Sequence, residues 1–249
     1  MDQNTVSVLK ADSLGRVERL ERGDERRLRR VAIGGRWPGS GVLARLLLRR
    51  ERKALEQLQG LPGIPRLLGP DWAESVPGAD GTTIPAASML VREFVDGTAL
   101  HQATHLPENF FERLDELVLR MHERGICHND LHKEQNVMVT SGGFPALIDF
   151  QLASCHARRG RTYRVRCHED RRHVRKHERR YRRAGRPVAE AGDLPEHLPR
   201  KPLSRLWRAT GKRLYHGFTR RVLRRWDGEP RRDSKDAWPR WGPPLPPWP

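Results

Sequence analysis

His128-Asn129-Asp130-Leu131-His132-Lys133-Glu134-Gln135-Asn136 and, thirteen residues past Asn136, Ile148-Asp149-Phe150-Gln151 are the two stretches on which the reading of this chain turns. Both lie beside very short apolar runs. Ile126-Cys127 precedes the first, Val137-Met138-Val139 follows it, and Ala146-Leu147-Ile148 leads into the second, with a Ser141-Gly142-Gly143 turn between the last two runs. The order is a strand, a loop bearing Asp and Asn, a tight hairpin, and a second Asp where the next strand ends. It brings two carboxylates and an amide to one end of a small sheet, and such oxygen atoms are the ligands that hard divalent cations take. Asp and Asn are common turn residues, so any one of them alone would be uninformative. Their combination and spacing carry the reading.

Upstream, Pro107-Glu108-Asn109 opens a helix whose apolar residues Phe110, Leu114, Leu117, Val118 and Met121 share one face; it ends near Gly125. Before it, Ala87 to Phe94 reads as an apolar strand running into Val95-Asp96-Gly97. Leu43, Leu46, Leu47, Leu55 and Leu58 fall largely on one face of a helix that stops at Gly60. Residues 5–34 read as three short strands, Thr5 to Leu9, Val17 to Leu20 and Leu28 to Ile33, with a turn at Arg22-Gly23-Asp24. There is no internal repeat.

Together these features resemble the protein-kinase-like superfamily, closest to the small bacterial kinases of the RIO and lipopolysaccharide-kinase type, a serine/threonine-kinase-like group. Asp130 and Asn136 match its catalytic loop, and Asp149-Phe150-Gln151 matches its Asp-Phe-Gly metal-binding turn. The resemblance implies a two-lobed α+β fold, with a small antiparallel-sheet N-lobe carrying one helix and a mainly helical C-lobe. It implies transfer of the γ-phosphate of ATP to a hydroxyl, with Mg²⁺ required, because phosphoryl transfer rests on positioning and charge stabilisation. Asp130 would orient or deprotonate the acceptor hydroxyl, with Lys133 beside it and His128 bracing the loop. Asn136 and Asp149 would hold Mg²⁺. Glu51 takes the place of the ion-pairing helix glutamate, and Leu90 to Gly97 looks like the hinge that grips adenine through main-chain groups near Glu93 and Val95.

The chain also departs from that pattern. Asp130 and Asn136 stand six positions apart where five is usual, a lone Gly15 replaces a glycine-rich loop, and Gln151 replaces the final glycine. No Ala-Pro-Glu segment follows. The third strand has no lysine: Arg29, Arg30 or Gly34 fills that slot, depending on register, and Arg30 is preferred. Arg keeps the charge but is forked and bulkier than Lys.

The chain is 249 residues long, and its formal charge of +17 is confined to one region. Residues 1–154 hold 20 Lys+Arg against 21 Asp+Glu, whereas residues 155–232 hold 26 against 8. A basic rear faces something anionic. From Leu203 to Trp226 apolar residues alternate with arginines, which fits a C-lobe helix or, through residues 200–226, an anionic membrane surface; nucleic acid ranks below that. The acceptor is expected to be a protein side chain or a lipopolysaccharide core sugar. A non-catalytic pseudokinase holding RNA or membrane is the competing class. Cys155-His156, Cys167-His168, His173 and His177 lack zinc-site spacing and read as a basic helix. Three unclustered cysteines and the absence of an apolar leader or spanning segment predict a cytoplasmic protein, at most peripheral at the inner face of the membrane. The expected divisions are 1–96, 97–226, and a Pro/Trp tail, 227–249, without packed structure.

Overall fold

A computed structural model describes residues 5–35, 38–69, 76–77, 83–184 and 237–248. In chain order it contains β1 (Thr5–Asp12), β2 (Gly15–Arg22), β3 (Glu25–Ala32), α1 (Ser40–Gln57), β4 (Val76–Pro77), β5 (Thr83–Ile84) and β6 (Met89–Glu93). There follow β7 (Gly97–Ala99), β8 (His105–Pro107), α2 (Phe110–Glu123), β9 (Ile126–Cys127), β10 (Val137–Thr140), β11 (Pro145–Leu147), β12 (Ser154–Cys155), α3 (Arg161–Ala184) and β13 (Arg240–Gly242). The architecture is α+β, and the chain divides into two compact units. The first takes the described residues up to Gly60, with Ile64–Val95 and Phe150–Leu152; the second takes Leu61–Gly63, Asp96–Asp149 and the described residues from Ala153 on.

In the first unit β1, β2, β3 and β6 form an antiparallel sheet in that order. Gly23, at a positive φ of 56°, turns β2 into β3. β3 then pairs with β6 in the register Arg27↔Glu93 to Val31↔Met89. α1 is amphipathic, but its inner face is rotated from the leucine reading. Ser40, Ala44, Leu48, Glu51, Ala54 and Leu55 are buried, while Leu46 is 47% exposed. The buried steps of three and four residues run through Leu48 and Ala44, and that places Glu51 inside.

In the second unit the expected helix forms, with Phe110, Leu114, Leu117, Val118 and Met121 fully buried. Each such side chain contributes about 1.5–3 kcal/mol relative to exposure. Gly125, φ 76°, ends the turn after α2, and a Cβ there would lie 2.6 Å from the His156 carbonyl oxygen. β7, β10 and β11 make a three-stranded sheet and β9 pairs with β12. Among the described residues this unit has two α-helices, of 14 and 24 residues, and strands of only two to four residues, in keeping with the mainly helical lobe that the resemblance implied.

The Pro/Trp tail corrects the sequence reading. Residues 237–248 are packed: β13 pairs in parallel with β8, placing Trp241 opposite Leu106. The side-chain amide of Asn109 both donates to the Leu245 carbonyl (3.1 Å) and accepts from the Leu245 amide (2.7 Å). Trp238 meets the ring of Tyr181 edge-on, Trp241 lies 6.3 Å from Phe111, and Trp248 lies 5.2 Å from Phe144. Arg180, Arg182 and Arg120 cover the rings of Trp238, Trp241 and Trp248. Proline removes main-chain donors but leaves tryptophan free to bury area, so a Pro-rich segment can dock through its aromatic residues. Trp241→Ala is expected to cost about 1–2 kcal/mol in urea unfolding, less than the ~3–5 kcal/mol of a fully buried Trp, because this ring is half-buried.

Candidate active site

Asp130 is 3% exposed, and its surroundings are built from the loop that carries it. Lys133 Nζ donates to its Oδ2 at 2.9 Å, and Asn136 Nδ2 donates to the same oxygen and to the Asp130 carbonyl, both at 3.1 Å. Oδ1 faces His132 Nδ1 at 3.2 Å. The sequence-predicted Asp130, Lys133 and Asn136 therefore converge. The six-position step from Asp130 to Asn136 ends in a 3₁₀ turn, Glu134–Asn136, in which the Asn136 amide donates to the Lys133 carbonyl. Since Asn136 spends its amide nitrogen on Asp130, its carbonyl oxygen is the atom left for a cation.

Asp149 lies where β11 hands over to the next turn. The Ile148 amide donates to the Asn136 carbonyl (3.0 Å), and His128 Nε2 bonds to the Ile148 carbonyl at 3.0 Å. His128 is fully buried and thus ties the loop to the residue before Asp149. Asp149 has φ 65°, a left-handed conformation that Asp tolerates far better than most residues. These oxygen donors suit Mg²⁺, which favours carboxylate and amide oxygens.

In the first unit Arg30 Nε lies 3.0 Å from Glu51 Oε2, and Arg92 lies 3.9 Å from the other carboxylate oxygen. Arg29 instead bonds Glu18 at 2.7 Å. Of the three residues left open for the strand slot, Arg30 is thus the one that reaches the buried glutamate. A small cavity beneath the β1–β2 turn is lined by Lys10, Asp12, Gly15, Arg16, Arg30 and Gln151. Lys10 and Arg16 had no part in the sequence reading; alternation alone does not say which face of an edge hairpin lines a cavity. Gly15 has φ 148°, and a Cβ there would lie 2.0 Å from the Val31 carbonyl oxygen. Gly15→Ala is expected to cost at least about 1–3 kcal/mol, read by chemical denaturation, because both the conformation and the contact oppose it.

Glu93 and Val95 are both half-buried. The Glu93 amide donates to the Arg66 carbonyl (2.9 Å), and its carbonyl accepts from Arg92 Nη1 (3.2 Å). Burial acts to raise the Glu93 carboxyl, but hydrogen bonds from Arg66 outweigh it and hold it below the usual range.

Sequence reasoning missed α3 as the frame of the loop. Asp170, 1% exposed, accepts the backbone amides of His128 (2.8 Å) and Asn129 (2.9 Å), and lies 3.1 Å from His122 Nε2. His177 Nε2 bonds the Leu131 carbonyl at 2.8 Å, and burial lowers its pKa to about 4, so it sits there neutral. The Tyr181 hydroxyl donates to Glu134 (2.7 Å), which also pairs with Arg180. His173, whose pKa burial and neighbouring cations lower to about 2, lies against the His132 ring. Asp170, Val174, His177 and Tyr181 follow steps of four, three and four, one helical face. That periodicity was the available signal. Much of α3's positive charge is matched internally, by Arg171 and Arg175 on Asp115, Arg172 on Glu169 and Arg182 on Glu178.

Beside Asp170, Cys127 Sγ lies 3.6 Å from Cys167 Sγ. The hydrogen bond from Cys127 draws the Cys167 thiol down to about 5 against the effect of burial, with His122 assisting, and the same bond and burial push Cys127 up. Burial opposes the charge on His122, yet Asp170 and Cys167 raise its pKa to about 9.

Residues 200–226 lie outside the described residues, so the expected membrane-facing segment is not part of this geometry. No helix among the described residues is long and apolar enough to cross a membrane. The probable SapB synthase of Streptomyces coelicolor (strain ATCC BAA-471 / A3(2) / M145) is 30% identical over 126 residues, covering 43% of this chain and 12% of that protein. The chain therefore spans a small part of that relative's length. The model of the phosphotransferase enzyme family matches residues 17–159, more than half of the chain and the stretch holding Arg30, Glu51, Asp130, Asn136 and Asp149; the chain belongs to that family.

Proposed function

We propose that this protein is an ATP- and Mg²⁺-dependent kinase that moves the γ-phosphate to an alcohol, either a protein serine or threonine or a lipopolysaccharide core sugar, as in RIO-type and lipopolysaccharide kinases. The observation that carries the reading is the buried Asp130 carboxylate held by Lys133 and Asn136, with the strand into Asp149 bonded to the same loop. Asp130 orients the acceptor hydroxyl and takes its proton. Lys133, hydrogen-bonded to the Asp130 carboxylate, faces the phosphoryl group being moved. Asn136 and Asp149 hold the metal through oxygen, and Mg²⁺ supplies charge neutralisation at the phosphates. Arg30, fixed by Glu51, stands for the phosphate-binding lysine, with Lys10 and Arg16 adding positive charge at the same cavity. Main-chain groups near Glu93 and Val95 hold adenine. The protein works in the cytoplasm, reaching acceptors at the inner membrane face through residues 200–226.

The test is transfer of radiolabelled phosphate from ATP to cell-envelope and protein fractions, with Asp149→Asn as control. Label released by alkaline treatment that spares sugar phosphates marks a protein acceptor; label retained in the glycolipid marks a sugar. No label from the intact protein, together with steeply salt-dependent binding to RNA or anionic vesicles, would replace the kinase by a non-catalytic binding module.

A further inference from the structure

Three side chains from three elements meet behind the catalytic loop. His122 comes from the last turn of α2, Cys127 from β9 and Cys167 from α3. A ring nitrogen of His122 and the two sulfurs all lie within 4.8 Å of one another. His122 and Cys127 are buried and Cys167 is half-buried. A tetrahedral zinc site with metal–sulfur bonds of about 2.3 Å sets two sulfurs about 3.8 Å apart. The observed 3.6 Å between Cys127 and Cys167 is close to that edge, and far longer than the ~2 Å of a disulfide.

We infer that His122, Cys127 and Cys167 form a binding site for one thiophilic divalent cation of the zinc class, held by two thiolates and one imidazole. Two thiolates cancel the charge of the cation, so a neighbouring arginine such as Arg166, which acts on Cys127, does not repel the filled site. Binding releases the protons of Cys127 and His122 to solvent, Cys167 being already drawn towards its thiolate. Asp170, 3.1 Å from His122 Nε2, is the carboxylate beside the ligating histidine, an arrangement that fixes ring orientation at metal centres. The same carboxylate holds the amides of His128 and Asn129. The cation would therefore fasten α2, β9 and α3 together one turn before Asp170, as a structural clamp and not a catalytic metal. Sequence spacing hid it, because the ligands are 5 and 40 residues apart and His122 lay outside the Cys/His-rich stretch.

The experiment is titration of the purified, fully reduced protein with Co²⁺ and then Zn²⁺. One equivalent of cobalt should give thiolate-to-metal charge transfer and the intense visible bands of a tetrahedral ion, which zinc then bleaches. Cys167→Ser should lose the charge-transfer band by about half or more, and the rise in melting temperature that zinc gives the intact protein should vanish. Absence of a thiolate band in the intact protein overturns the site whatever the variant does. So does a band unchanged in Cys167→Ser, which places the metal elsewhere. A Cys127–Cys167 disulfide in protein prepared without reductant, with no metal taken up after reduction, also overturns it.

Discussion

Asp149→Asn lowers Mg²⁺-dependent phosphoryl transfer by about 10²–10⁴-fold, the several kcal/mol that a metal-held charge contributes at a transferring phosphoryl group. The variant removes one charge and keeps the size and shape of the side chain. Asn shares with Asp the capacity for a left-handed backbone, so the φ of 65° at this position is kept without new strain, whereas Ala would add about 1–2 kcal/mol. Denaturation curves of the two proteins should therefore nearly superimpose while turnover collapses. An equal loss of stability and activity would mean that Asp149 is a turn residue with no metal to hold. Excess Mn²⁺, which binds oxygen donors more tightly than Mg²⁺, should recover part of the rate if the lost carboxylate was a ligand.

Asp170→Ala is expected to destabilise the protein by about 3–5 kcal/mol, the cost of breaking a buried charge-paired site from one side. Two loop amides, the buried one of His128 and the half-buried one of Asn129, and the His122 ring lose their acceptor together. Asp170→Asn is the informative partner, because a single amide oxygen can accept one loop amide while its NH₂ faces the other. It should fall between wild type and Ala in urea unfolding. Its phosphoryl transfer, measured where it remains folded, should drop through kcat rather than KM, since the misplaced group is the Asp130 loop and not the nucleotide cavity. A variant whose loop amides stay protected from hydrogen exchange would show that Asp170 does not set the loop.

The parts of this molecule that were legible in the sequence are those whose signal is local. The strand–loop–hairpin order around Asp130, Asn136 and Asp149 is written within about two dozen residues, and the α2 stripe from Phe110 to Met121 obeys a simple period. α1 was harder. Leucine is so frequent there that counting leucines selected Leu46 for the inside, whereas small Ala44 and charged Glu51 occupy it. Asp170 could not be told from a solvated acid in an arginine-rich helix, because its partners are main-chain amides about 40 residues earlier and main-chain groups leave no mark in a sequence. The same holds for His177 on the Leu131 carbonyl. The choice of Arg30 over Arg29 depends on which side of β3 faces α1, a matter of register that alternation leaves open by one residue. Composition misled in the tail, where proline content spoke for an unpacked chain and the tryptophans decided otherwise.

The docking of 237–248 has a consequence for biosynthesis. The rings it covers, Phe111, Phe144 and Tyr181, have all left the ribosome well before Trp238, Trp241 and Trp248 are made. The stretch 185–236 intervenes, so at about 5–20 residues per second those surfaces wait roughly 3–10 s in water for their cover. A nascent chain in that interval presents greasy aromatic ground to any holdase nearby, and stalled or prematurely terminated translation products lacking residues 237–248 should be the species that aggregate first.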